Sequence, residues 1–196
     1  MKIKSLVLII AIYFVSVNNL FAIDPEVFVQ STVNRASKIL SEEITKEKKM
    51  VKLQDIAKDT VDIKGIGFYT LGSARKTLND SQKNKYSELF EKYFLKSFSS
   101  RLAEYTNPEI NVYDKEVLSP NYTIVKSLLK STNERPEIKI DWRIYTKNSE
   151  NPLIRDLIIE GLSLARTQKE EFNSVITSSD NGIEGLFSNL KNFIEN

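Results

Sequence analysis

The side chains that could do chemistry are narrow in kind. No histidine and no cysteine occur in the 196 residues. That removes Ser-His-Asp and Cys-His nucleophilic catalysis, His and Cys zinc ligation and the usual general base. Carboxylate, lysine and tyrosine chemistry is what remains. The most informative stretch lies between Ile138 and Ser163, where Asp141, Arg143, Asp156 and Glu160 occur in two strand-like runs. Alternation decides where they point. In Ile138–Tyr145, Ile138, Ile140, Trp142 and Ile144 fall on one face, and Lys139, Asp141, Arg143 and Tyr145 on the other. In Asp156–Ser163, Leu157, Ile159 and Gly161 share a face opposite Asp156, Ile158 and Glu160. An enzyme built here would need a carboxylate on the inner side, yet Asp141 and Asp156 alternate outward. Arg143, Asp156 and Glu160 are therefore expected to pair with one another or to dock a partner. The apolar face carries the only tryptophan, Trp142. It must either pack as core or line a cavity for an apolar ligand.

A second candidate for chemistry is Lys64–Gly72, which holds three glycines. It lacks the spacing and the following Lys-Ser/Thr of a phosphate-cradling loop, so turns and helix caps are expected there. The Lys46–Lys52 charge cluster reads as a solvated helix end.

These residues are positioned by helices, then strands, then helices. Asp24-Pro25 starts a helix to about Lys48, with Val29, Val33, Ala36, Leu40 and Ile44 as its buried stripe. A second helical piece covers about Leu53 to Asp62. Asn79-Asp80-Ser81-Gln82 is a capping box opening the longest helix, about Asp80 to Tyr105, which Asn107-Pro108 ends. Its stripe of Tyr86, Leu89, Phe90, Tyr93, Phe94, Phe98, Leu102 and Tyr105 is unusually aromatic. Four strands follow, at about Ile110–Leu118, Tyr122–Ser131, Glu137–Tyr145 and Leu153–Ser163. Their short turn-like links imply an antiparallel meander, because parallel neighbours need a crossover. Helices at about Thr167–Thr177 and Ile183–Ile194 close the chain. The expected fold class is α+β, a curved antiparallel four-stranded sheet covered on one face by six or seven helices.

The first 22 residues read as a cleaved secretory signal: basic Met1–Lys4, an apolar run from Leu6 to Val17, and Ala22 before the cut. That run is shorter than the ~20 residues that span a bilayer. Residues 23–196 then form a single domain. Cleavage removes Lys2 and Lys4, so the basic count falls from 28 to 26 against 26 acidic residues, and the net charge from +2 to zero. A nucleic-acid partner loses its electrostatic support. Without cysteine, an exported chain depends on its core, and a chain of this size can bury roughly 70% of its unfolded surface. Two sequons, at Asn79 and Asn121, would matter only in a eukaryotic secretory pathway.

Taken in order, the motifs resemble one family. Leu71-Gly72 followed by Arg75-Lys76, the capped helix with Gln82, Phe90, Tyr93 and Tyr105, the Trp142-Arg143 strand, Asp156-Leu157-Ile158-Ile159-Glu160-Gly161-Leu162-Ser163, Phe172, and Gly182-Ile183-Glu184-Gly185-Leu186 are together similar to MlaC, the soluble periplasmic phospholipid-carrier family. The chain departs from that family at Ser73 and Ala74, where aromatics are usual, and at Asn151-Pro152-Leu153, where an aromatic precedes the last strand. The resemblance implies a cone related to nuclear-transport-factor-like domains, enclosing a deep apolar cavity for acyl chains. It implies no catalysis and no cofactor, with phospholipid as cargo. It implies a periplasmic location. The implied partners are an outer-membrane lipoprotein–porin complex and an inner-membrane ABC transporter bearing MCE domains, and the carrier itself is expected to be a monomer. A carrier of another lipid, such as a hopanoid, and an enzyme in the same cone using carboxylate or tyrosine chemistry are the alternatives. So is a lipid-free adaptor.

Depth is a physical requirement for such a carrier. Each exposed methylene costs about 0.8 kcal/mol, so two acyl chains left bare would cost on the order of 20–25 kcal/mol. A surface groove does not offset that, whereas an enclosed apolar pocket does. The candidate lining is Val112, Ile124, Ile140, Trp142, Ile144, Leu157 and Ile159 from the sheet. Tyr69, Phe90, Tyr93, Phe94 and Phe98 face them from the helices.

Overall fold

The computed structural model describes residues 22–133 and 135–196. The expected signal lies outside them except for Ala22. Helix α1 (Pro25–Ser41) starts where expected, with Asp24 accepting from the Glu26 amide at 2.8 Å. It ends earlier than the sequence suggests. Glu42 is extended, and α2 (Lys46–Thr60) begins afresh, capped by Thr45. The run of good helix formers hid this corner. Thr45 competes as a cap, and Lys49 Nζ reaches back 2.7 Å to the Leu40 carbonyl. Helix α3 (Ile63–Thr70) is a second departure: the glycine-rich segment is helical, with Asp62 capping the Gly65 amide at 2.9 Å. A 3-10 turn (Ala74–Lys76) leads to α4 (Asp80–Leu102), whose start carries both hydrogen bonds of the Asn79/Gln82 capping box.

The strands are β1 (Ile110–Ser119), β2 (Tyr122–Leu129), β3 (Ile138–Tyr145), β4 (Leu153–Ile159) and β5 (Leu162–Ser163). They form one antiparallel meander in the order β1-β2-β3-β4-β5. The fold class is α+β, with five strands among the described residues instead of four. Glu160 (φ +50°) and Gly161 (φ +83°) both take left-handed backbone and reverse the chain, so Leu162 pairs back onto Ile159. Gly161 thus makes a hairpin turn and does not share the apolar face of Leu157. Helices α5 (Leu164–Ser178) and α6 (Ile183–Glu195) complete the chain.

Register fixes the two faces of the sheet. Trp142 stands between Val125 and Leu157, Ile140 between Ser127 and Ile159, and Val112 lies beyond Ser127. These residues form the inner face. Ile124 pairs with Arg143, which corrects its expected place: it lies on the outer face, away from Trp142. Two apolar residues in succession, Ile124-Val125, leave alternation undecided, and the pairing of Val125 with Trp142 decides it.

Helices cover the inner face by different routes. The backbone of α1 lies against β1 and β2, and those of α3 and α5 against β4. Helix α4 instead has α2, α3 and α6 as its close backbone neighbours. Arg155 joins the layers at one end. Its Nε donates to Asp62 Oδ2 at 2.7 Å, its Nη1 to the Tyr122 hydroxyl at 2.5 Å, and its guanidinium lies 3.7 Å from the Tyr145 ring centroid.

Gly67 carries the close approach of α3 to α4, because a Cβ there would sit 2.7 Å from Phe90 Cδ1. Alanine in a helix ordinarily gains about 0.5–1 kcal/mol over glycine. Overpacking costs about 1–3 kcal/mol. Gly67→Ala is therefore expected to lower the denaturation midpoint. A midpoint equal to or above the parent's would show that α3 can retreat freely.

Candidate functional site

The face of α4 that matters is found by elimination. Ser99 accepts from Gln54 Nε2 of α2 at 3.1 Å. Lys96 Nζ donates to the Ile194 carbonyl of α6 at 3.0 Å, and the Tyr93 ring meets Phe193 at 4.9 Å between centroids. The remaining side carries Tyr86, Phe90, Phe94 and Phe98, a continuous file of rings. Tyr86 and Phe90 are 5.7 Å apart, Phe90 and Phe94 6.1 Å, and Phe94 and Phe98 5.7 Å and nearly parallel. Phe172 of α5 meets Phe90 edge-on at 6.2 Å. Burial holds the Tyr93 phenol above its usual pKa, aided by the nearby Glu171 charge, and its hydroxyl donates to Gln168 Oε1 at 2.8 Å.

Opposite lies the inner face of the sheet. Its central polar atoms are satisfied within the sheet. Trp142 Nε1 donates to Ser127 Oγ at 2.8 Å, and Ser127 Oγ donates to the Ile140 carbonyl at 3.0 Å. The carboxylates of β4 serve its turn. Asp156 accepts from Ser163 Oγ at 2.6 Å and the Ala165 amide at 3.0 Å, and Glu160 accepts from the Lys139 amide at 2.5 Å. They do not pair with Arg143, so the first of the two roles open to them from the sequence is not the one taken. Arg143 lies on the outer face opposite Asp156, with its Nε buried and unpartnered. Among the described residues no three or more carboxylates cluster so as to hold a metal ion.

The expected lining residues divide by exposure. Phe90, Ile140, Trp142 and Ile144 are buried. Tyr93, Phe94, Phe98, Val112 and Leu157 are half-buried against the same core cluster, and Ile159 is half-buried beside Ile140. Ile110, Ile138 and Tyr105 belong with them and were not singled out as lining. Ile138 was legible from its alternation with Ile140. Two residues fall elsewhere. Ile124 is on the outer face, and Tyr69, 45% exposed, lies under the Lys169 ammonium at 5.3 Å. The result is an apolar seam between α4 and the sheet, closed by side chains. Two surface pockets lie away from it: a groove of about 190 Å³ between α4 and α6, bordered by Lys85, Lys92 and Lys191, and an open depression along α1.

This arrangement defines a class: an α+β domain whose helices cover one face of an open antiparallel meander and meet it along an apolar seam. A phospholipid-binding protein from Ralstonia solanacearum, solved in complex with a phospholipid, shares the fold. The two match with a TM-score of 0.74 over 88% of this chain and 98% of that one, at 17% identity. Sequence goes further than shape. The profile of the MlaC protein family matches residues 30–192, and the chain belongs to that family. Comparison with functionally curated proteins finds no match. No helix of the described residues is long and apolar enough to cross a membrane.

Ser127→Ala leaves the Trp142 N–H buried without an acceptor, a cost of about 1–3 kcal/mol. The expected result is a lower midpoint in urea. A shift in emission of the only tryptophan is expected as well. An unchanged midpoint and spectrum would show that the indole N–H finds another partner.

Proposed function

We propose that this protein is a periplasmic phospholipid carrier that holds acyl chains between α4 and the inner face of the sheet. The observation that carries this reading is the half-buried seam of Phe94, Phe98, Val112 and Leu157, with Ile159 half-buried opposite Ile140, over the buried floor of Phe90, Ile140, Trp142 and Ile144. Membership of the MlaC family and the fold shared with a protein solved with phospholipid support it. No residue is asked to react, and no cofactor is required.

The mechanism follows from how α4 is held. Its close backbone neighbours are helices, so moving it away from the sheet breaks no strand ladder. What separates is side-chain contact, each atom pair worth only about 0.1–0.2 kcal/mol. Entering methylenes restore those contacts. They also remove about 0.8 kcal/mol of exposure each, so chain insertion offsets the widening. The loaded domain is then the cone expected from the sequence, deep enough for the chains. Transfer between a bilayer and this interior is nearly neutral, so direction must come from partners. The partners proposed are an inner-membrane MCE-domain/ABC transporter complex and an outer-membrane lipoprotein–porin complex, reached by a monomer exported by its N-terminal signal.

Lipid extraction and mass spectrometry of the purified mature protein test this. Stoichiometric phospholipid is expected. Phe94→Trp and Ile159→Trp, which fill the seam, are each expected to lower the bound lipid severalfold while the fold survives. No lipid in the parent would sink the carrier reading, and a different lipid class would redefine the cargo. Unchanged loading in both variants would remove the seam as the site.

A further inference from the structure

The seam is apolar along its length, but it ends at a cation. At the β2–β3 turn Thr132 and Arg135 bond to each other through their backbones, Thr132 N to the Arg135 carbonyl at 2.8 Å and Arg135 N to the Thr132 carbonyl at 3.3 Å. Three residues on, Ile138 enters β3 opposite Leu129 on the inner face. From the helical side Tyr105, in the turn after α4, reaches the same end. The Arg135 guanidinium lies 4.6 Å from its ring centroid. Tyr105, Ile110 and Ile138 are all half-buried against the core cluster, so this end belongs to the seam.

Arg135 is positioned but not used. Its Nε is buried and donates to nothing, and it makes no ion pair with a carboxylate among the described residues. Among the described residues, Lys130 pairs with Glu109, and Glu137 is exposed and makes no ion pair with Arg135. A buried donor without an acceptor is a standing cost, and it is relieved by whatever supplies one. The guanidinium is a rigid planar fork that matches an oxyanion in two parallel bonds. Its ring partner holds the plane of the fork. Beside a seam for acyl chains, the oxyanion that fits is a phosphate.

We propose that Arg135 receives the headgroup phosphate of the bound lipid at the β2–β3 end of the seam, held in place by Tyr105. This rests on the carrier reading above and adds an orientation to it. The headgroup sits by Arg135, and the chains run inward past Phe98 and Ile140 toward Phe90 and Trp142. It also adds a selectivity: a phosphodiester is kept over a neutral diacyl lipid of the same chains.

The test uses delipidated mature protein and vesicles carrying equal phosphatidylglycerol and diacylglycerol of matched acyl chains, followed by extraction and mass spectrometry. The parent is expected to favour phosphatidylglycerol. Arg135→Gln is expected to cut that preference about tenfold while total lipid stays near one equivalent. Arg135→Lys, which keeps the charge and loses the fork, is expected to fall between them, and it stands in should the Gln variant melt early. Inorganic phosphate titrated into the loading mixture is expected to leave the preference intact. A parent that takes up neither lipid ends the carrier reading and this proposal with it. A parent that loads, with Arg135→Gln keeping the full preference, overturns the role of Arg135 and leaves the carrier reading standing. Free phosphate binding that depends on Arg135, with unchanged lipid preference, overturns it too and assigns the arginine to the free ion.

Discussion

Phe90 is the point on which the helical layer depends. It is almost fully buried, and its ring touches those of Tyr86, Tyr93, Phe94 and Phe172. Beneath it α3 comes so close that only glycine fits at position 67. One side chain therefore ties α3, α4 and α5 together. The remaining supports of α4 come from its flanks, through Gln54 on α2 and the Ile194 carbonyl on α6. A helix anchored at its first half and along its sides needs no close backbone contact with the sheet. That leaves Phe94 and Phe98, one and two turns beyond Phe90, half-buried against the core cluster that the sheet shares. The seam is a consequence of where α4 is fastened.

The sheet answers with a face that asks for nothing polar. Ser127 closes the account of the indole N–H and of the Ile140 carbonyl in one residue. Asp156 and Glu160 are drawn into the β4–β5–α5 corner, where they accept from Ser163, Ala165 and Lys139. The Ser127 bonds keep the indole N–H and the Ile140 carbonyl satisfied on the seam side, while both carboxylates are engaged away from it. A buried polar group without a partner there would hold water or a polar ligand and would work against acyl chains.

Much of this was legible in the sequence, and the misses share a cause. The Asn79/Gln82 box and the alternation of Ile138–Tyr145 are local signals, and the structure has them as read. The corner at Glu42–Thr45 was hidden because its charged neighbours are good helix formers, and the stop is set by a lysine reaching across it. The glycines of α3 read as turns because their use is a contact with Phe90, more than twenty residues away in the chain. Ile124 was misplaced because two adjacent apolar residues carry no period, and only the partner strand assigns the face. The aromatic stripe of α4 was readable as apolar. Which half seals the core and which half stays half-buried depends on Phe172 and Phe187, which arrive from α5 and α6.

The contrast between Trp142 and Arg135 then gives the seam a direction. Both carry a buried N–H, Trp142 on the inner face of β3 and Arg135 in the β2–β3 turn. The one at Trp142 is satisfied by the protein itself, so anything lying over it is met only by carbon. The one at Arg135 is left open, under an aromatic ring and at the margin of the same apolar strip. Burying an unmet donor is unfavourable in any protein, and it is tolerated where a ligand supplies the acceptor. A strip that is self-sufficient in its middle and deficient in one acceptor at its end is complementary to a molecule with the same polarity. The proposed cargo, an amphiphile with long chains and a single anionic head, has that polarity.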